Sequence, residues 1–290
     1  MQKAGNRPAG QEIEKRVRQS PRRKLLIGLG RGFGGALIFG LPLLMTMEMW
    51  SLGFYMDRFR LALLLFLNMP LLTLLSYHAG FEETTCWHDD LRDMVVAYAI
   101  GIVASVIVLA VFGVVTLAMS ADEIIGKVAL QSVPASIGAL LGRSQLGGSK
   151  AEASQGSERV NYASEMFLMA VGALFLGLNV APTEEMVLIS HKMTGWHAVA
   201  LIALSIFLMH AFVYAVEFAG SDPSLPPGTP WWSAFLRFTI TGYSIALLIS
   251  LYALWTFGRT DDVGLMPVLI SMVVLGFPAA IGAAAARLIL

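Results

Sequence analysis

The run Gly35-Ala-Leu-Ile-Phe-Gly40-Leu-Pro42-Leu-Leu-Met-Thr46-Met-Glu48-Met49 puts one carboxylate inside an apolar stretch long enough to cross a bilayer. The pattern occurs again as Gly172-Ala-Leu-Phe-Leu-Gly177-Leu-Asn-Val-Ala-Pro182-Thr183-Glu-Glu185-Met186, with Gly172 falling on Gly35 at a shift of 137. On that register Gly, Ala, Leu, Gly, Leu, Thr, Glu and Met coincide. The sequence therefore predicts a duplicated chain with one acidic residue per copy at membrane depth.

Outward from this stretch the matches continue in order. Tyr77 and Phe81 fall on Tyr214 and Phe218 at 137, and Leu91-Arg92, Tyr98, Ile100 and Phe112-Gly113 fall on Leu236-Arg237, Tyr243, Ile245 and Phe257-Gly258 at 145. Pro134, Ile137-Gly138-Ala139 and Arg143 fall on Pro278, Ile281-Gly282-Ala283 and Arg287 at 144. The shift changes only across loops. With 56% hydrophobic residues, 14% charged and a mean hydropathy of +0.69, the chain is predicted to live in a membrane. Apolar runs at about 33–56, 61–81, 93–118, 124–142, 164–190, 197–219, 232–257 and 265–288 are each near the length of a spanning helix. Runs this continuous exclude alternating barrel strands, so the expected fold is all-α and polytopic, with eight transmembrane helices as two parallel four-helix repeats. The fourth run is the doubtful one, because Lys127, Gln131 and Ser132 interrupt it and it could lie flat in the interface. Its match to the span-like 278–287 segment favours crossing.

The expected organisation is a basic tail over 1–30, a first repeat over 31–143, a linker over 144–160 rich in Ser, Gly and Gln, and a second repeat over 161–290. Net charge is zero, yet Lys3, Arg7, Lys15, Arg16, Arg18, Arg22, Arg23, Lys24 and Arg31 concentrate nine of the 20 Lys and Arg in the first 31 residues. An even number of spans places both termini on one side. Assigning that side to the cytoplasm puts Arg92, Arg143, Lys150, Arg159 and Arg287 there with the tail, and only Arg58, Arg60, Lys127, Lys192 and Arg259 outside, as the positive-inside rule demands. The tail is either a topology signal or a contact for anionic headgroups. The single cysteine, Cys86, excludes an intrachain disulfide and a cysteine-based metal cluster.

The chemistry centres on Glu48 and Glu185. A carboxylate in a span is costly, and placing one at the same position in both copies points to a proton, a cation, water or a basic partner. Pro42 and Pro182 lie six and three residues before the acids and are expected to kink or interrupt the helices, freeing carbonyl oxygens. Those carbonyls, the carboxylates, the Thr46 and Thr183 hydroxyls and the Asn179 amide are the oxygen ligands a hard cation uses. The plainer reading is that the prolines are ordinary kinks and the glutamates bond a neighbouring helix. Secondary polar candidates are His78 and Glu82, His210 and Glu217, with Arg92 and Arg237 as their basic neighbours. His88, Asp89 and Asp90 beside Cys86 resemble metal ligands, but a short acidic loop is more simply solvated.

No nucleotide-binding loop, HExxH, Gly-x-Ser-x-Gly or paired-aspartate phosphate chemistry occurs, so the chain reads as a non-enzyme without cofactor or nucleic-acid partner. The segments Gly35–Trp50 and Pro134–Gly147 resemble a family of bacterial integral membrane proteins of unassigned function, a likeness that runs through the chain after the basic tail. That resemblance implies a bacterial inner membrane and carries no active residues with it. Asn179-Val-Ala-Pro-Thr-Glu-Glu185 also resembles the acidic repeats of cation exchangers, although those repeats are inverted and the parity here is even. The expected partners are the lipid bilayer and a small cation or proton. Two functions remain open: a transporter or channel, or a non-transporting membrane module such as a sensor or assembly subunit. A homo-oligomer remains open too.

Overall fold

In hydrocarbon every backbone donor and acceptor must be satisfied within the protein, and each apolar run does so as a helix. The structure, a computed structural model, describes residues 21–79, 87–145, 162–218 and 231–289; the tail over 1–20, the linker core and the loop holding Glu82 and Cys86 lie outside the described residues. The first half comprises α1 (Pro21–Leu44), α2 (Met47–Tyr55), α3 (Arg58–Ala79), α4 (Trp87–Val111) and α5 (Ala121–Gln145). The second comprises α6 (Tyr162–Val180), α7 (Glu184–Lys192), α8 (Gly195–Phe218), α9 and α10 (Leu265–Ile289). α9 joins Trp231–Ala234, a π-helical turn Phe235–Ile240, and Thr241–Thr256. No strand occurs among the described residues. Eight of these helices are long and apolar enough to span a membrane, and α2 and α7 are the two short ones.

The boundaries of the first and fifth runs differ from the expectation. Neither 33–56 nor 164–190 is one helix: spanning candidates end at Leu44 and Val180, and nine-residue helices start afresh at Met47 and Glu184. The cause is local. Thr46 and Thr183 adopt extended backbone (φ −89°, ψ 117° and φ −72°, ψ 145°) and occupy the N-cap position of a new helix. Pro42 stays inside α1, whereas Pro182 sits in the break itself.

The fourth run is a full-length helix, and its place in the packing explains its polarity. In α5, 83% of the spanning window is buried against 11% in α8, so its polar side chains meet protein instead of lipid. Asn68 donates to Ser136 at 3.0 Å, and Gln131 donates to the Leu43 carbonyl at 3.0 Å. Only an enclosed helix can carry such groups at membrane depth.

Two helix pairs dominate the packing, α1 with α5 and α6 with α10. Both rest on backbone-to-backbone contact. A Cβ at Gly35 would collide with the Gly138 carbonyl oxygen and the Gly142 Cα, and one at Gly172 would collide with the Gly282 carbonyl oxygen. Such approach is how spanning helices gain dispersion contacts when lipid removes the hydrophobic drive between them. The turns after α4 and α9 each contain a left-handed glycine, Gly113 (φ 70°) and Gly258 (φ 72°). The two halves touch along a narrower seam, where α3 meets α6 and α9, α5 meets α6, and Phe39 packs edge-on against Phe175 at 5.5 Å.

Candidate functional site

The broken helices position the two glutamates. Glu48 and Glu185 are each the second residue of a short helix that follows the C-terminal end of a spanning helix, α1 and α6. Two contacts fix the depth of Glu48 along α5, since Leu43 sits level with Gln131 and Gly53 lies on Lys127. At 1.5 Å per residue from Ala121, those levels are about 15 and 9 Å from the start of that helix. The first turn of a helix has unpaired N–H groups and the positive end of the dipole, a setting that suits a negatively charged group.

Glu48 is half-buried and Glu185 is exposed. Among the described residues neither has a hydrogen bond or ion pair. It is Glu184, the neighbour with Met47 as its counterpart, that pairs with Arg259 at 2.9 Å. Arg259 also donates to the Pro182 carbonyl and so closes the break between α6 and α7.

The carbonyls freed at the first break are taken by protein donors. Thr46 Oγ1 donates to Pro42 at 2.6 Å, Gln131 Nε2 to Leu43 at 3.0 Å, and Trp50 Nε1 to Leu44 at 2.8 Å. In the second half Asn179 Nδ2 donates to Phe175 at 2.7 Å and Thr183 Oγ1 to Val180 at 2.9 Å. Thr46, Thr183 and Asn179 thus spend a hydrogen on the backbone while their oxygens keep acceptor capacity.

The secondary candidates are dispersed. His210 Nδ1 lies 3.0 Å from Thr239 Oγ1 in the π-helical turn, with the Phe235 ring edge-on at 5.1 Å. Arg237 is exposed, and its carbonyl accepts from the Tyr162 hydroxyl at 2.9 Å. Arg92 is exposed. Glu82 lies outside the described residues, as do the side chains of His78 and Glu217. No group of three His, Cys, Asp or Glu poised for a metal occurs among the described residues. His88 and Asp89 are exposed, with the His88 ring 3.9 Å from that of Trp87, while Asp90 is buried.

Sequence reasoning missed the electrostatic bridge between the halves. Arg60 in α3 makes two bonds of 2.8 Å to Asp261 in the α9–α10 turn, donates to the Trp255 carbonyl at 2.9 Å, and lies 4.9 Å over the Trp255 ring. Arg58, two residues earlier, pairs within its own half with Asp122. The i, i+2 spacing of the two arginines was the available signal, but the identity of their partners needs the fold.

The Arg60 guanidinium, first through its hydrogen bonds, holds the Asp261 carboxyl below its ordinary value. A depressed carboxylate contributes stability above its unfolded pKa and loses it as pH falls through the folded one. Asp261→Asn is therefore expected to lower stability by about 0.5 kcal/mol at neutral pH, a modest figure because the carboxylate is half-exposed. The difference from wild type should vanish in acid below the carboxylate range, checked by thermal unfolding of the purified protein across pH.

No curated protein and no solved structure matches the chain. The profile of one family does, over residues 28–290, which leaves out only the basic arm. The chain belongs to DUF2391, a family of integral membrane proteins of unknown function.

Proposed function

We propose that the protein is a transporter or channel for a small cation or protons, acting without catalysing a reaction, in which Glu48 and Glu185 are the equivalent acids of one path. The observation that carries this reading is that both carboxylates begin a short helix after an N-cap threonine, at matched positions, and neither is neutralised by a basic partner among the described residues. Broken helices are a recurrent way to build an ion or substrate site in membrane proteins. On this reading residues 31–143 and 161–290 are parallel four-helix repeats. The matched breaks, the left-handed Gly113 and Gly258, and the Gly35 and Gly172 contacts support that organisation. Both termini then face the cytoplasm of a bacterial cell, with the chain in its inner membrane.

A specific observation favours the other reading, a non-transporting module such as a sensor or assembly subunit. The carbonyls freed at the first break already have protein donors, which leaves a cation fewer ligands there.

Flux of the purified protein in liposomes, screened against protons, sodium, potassium, calcium and magnesium, separates the two. Glu48→Gln and Glu185→Gln are each expected to cut flux by about tenfold or more, while Glu184→Gln, a partner of Arg259, has a smaller effect on flux. Wild-type flux in both single variants and in the double variant would sink the site assignment, and no flux of any of these ions would favour the module.

A further inference from the structure

The seam between the halves is one-sided. α3 of the first half meets both α6 and α9 of the second, and Arg60 reaches from α3 to the Trp255 carbonyl and to Asp261. α8 is the counterpart of α3, since Tyr214 falls on Tyr77 and His197 on Arg60 at the shift of 137. It packs within its own half, chiefly on α10. The spanning windows differ accordingly, with 33% buried in α3 and 11% in α8.

The faces opposite these two helices differ in the same sense. At the end of α9, Thr256 is 1% exposed and Phe257 5%, while their counterparts at the end of α4, Val111 and Phe112, are 77% and 44% exposed. Along α6 and its break, Phe175 is half-buried and Pro182 buried, whereas their counterparts Ile38 and Met45 are exposed. The bare set is no more polar than the covered one, so composition does not account for the difference. A contact that uses different surfaces on its two sides is heterologous, and it leaves one of each surface unused. Here these are the α1–α4 face of the first half and α8 of the second.

We propose that the protein assembles with a second copy of itself, α8 of each copy lying across the α1–α4 face of the other as α3 lies across α6 and α9. A heterologous contact either runs on without limit or closes into a ring. Two copies make the smallest ring, four halves around one axis along the membrane normal. His197 then takes the place of Arg60, and Thr116 that of Asp261. His197 is exposed and uses Nδ1 locally, 2.9 Å from Thr194 Oγ1, so Nε2 is the atom offered to the Thr116 hydroxyl. In lipid such a contact gains from dispersion and from polar pairs between helices. The proposal rests on the parallel repeats of the reading above and not on ion transport.

Cross-linking between differently marked chains tests it. In a Cys86→Ser background, Thr116→Cys chains and His197→Cys chains are co-expressed, reconstituted at low density in lipid vesicles and treated with a short bis-maleimide. The co-expressed pair should give product at twice the chain mass, and neither variant alone should give it. The Arg60→Cys/Asp261→Cys variant is the control and should link within one chain. Native mass spectrometry of the wild-type chain from nanodiscs should show two copies, a measurement that stands even if a variant fails to insert. Product from His197→Cys alone at the yield of the pair would overturn the proposal in favour of a symmetric α8–α8 contact. No product from the inserted pair, or a wild-type chain at its single mass, would overturn it as well. A reporter fused after residue 150 separates the two failures, because a signal from outside would sink the parallel repeats themselves, whereas single-mass chains with that signal inside would sink only the second-copy contact.

Discussion

Gly35→Val is expected to cost about 3 kcal/mol, the upper end of overpacking penalties, and to lower the unfolding temperature of the detergent-purified protein accordingly. The reason is that the added carbon meets backbone, the Gly138 carbonyl oxygen and the Gly142 Cα, so no rotamer change relieves the clash and α1 must leave α5. Gly172→Val should behave the same way through the Gly282 carbonyl oxygen. Gly30→Val is the control: open space surrounds that position, and the change should cost little beyond the helix propensity difference. If Gly35→Val and Gly30→Val unfold together near the wild-type temperature, the close α1–α5 contact is not what holds the first half.

Glu123→Ala should destabilise by about 3 kcal/mol, because it strands a buried cation. Lys127 is 8% exposed, and its ammonium is held by Glu123 at 2.7 Å and by the Val114 carbonyl at 3.4 Å. The Glu123→Leu/Lys127→Met double variant removes both charges, keeps much of the volume, and should recover most of that loss. Denaturant unfolding of the three proteins checks the sign. A Glu123→Ala variant as stable as wild type would mean that the ammonium reaches water or headgroups and that the pair is a surface pair in effect.

The helix breaks show how far local chemistry reaches. A proline close to a threonine and a glutamate was enough to predict an interruption beside each acid, since the missing donor and the N-cap preference act over a single turn. The position of the break was less legible. In the first half the chain turns after Leu44, beyond Pro42, because Thr46 bonds back to the Pro42 carbonyl and Trp50 and Gln131 complete the capping. Gln131 lies 88 residues away in sequence, and nothing in the 35–49 stretch announces it.

The choice between adjacent glutamates was also a tertiary matter. Glu184 and Glu185 are chemically equal in sequence, and the duplication pointed to Glu185 as the special one. The turn carrying Arg259 passes beside Glu184, so the neutralised acid is Glu184 and the acid without a partner among the described residues is Glu185.

Helical class, membrane residence and the number of spanning segments follow from composition and run length, because lipid imposes the same demand on every backbone group whatever its neighbours. Which helix is enclosed does not follow from these. α5 and α10 correspond in sequence, yet α5 carries Lys127, Gln131, Ser132 and Ser136 in its enclosed position, while α10 has a mean hydropathy of 2.2 against 1.5 and more of its surface open to lipid. Polar side chains read as an interruption in a one-dimensional hydropathy scan. Only the helices packed around them make those side chains affordable, and that arrangement depends on contacts between residues far apart in the chain.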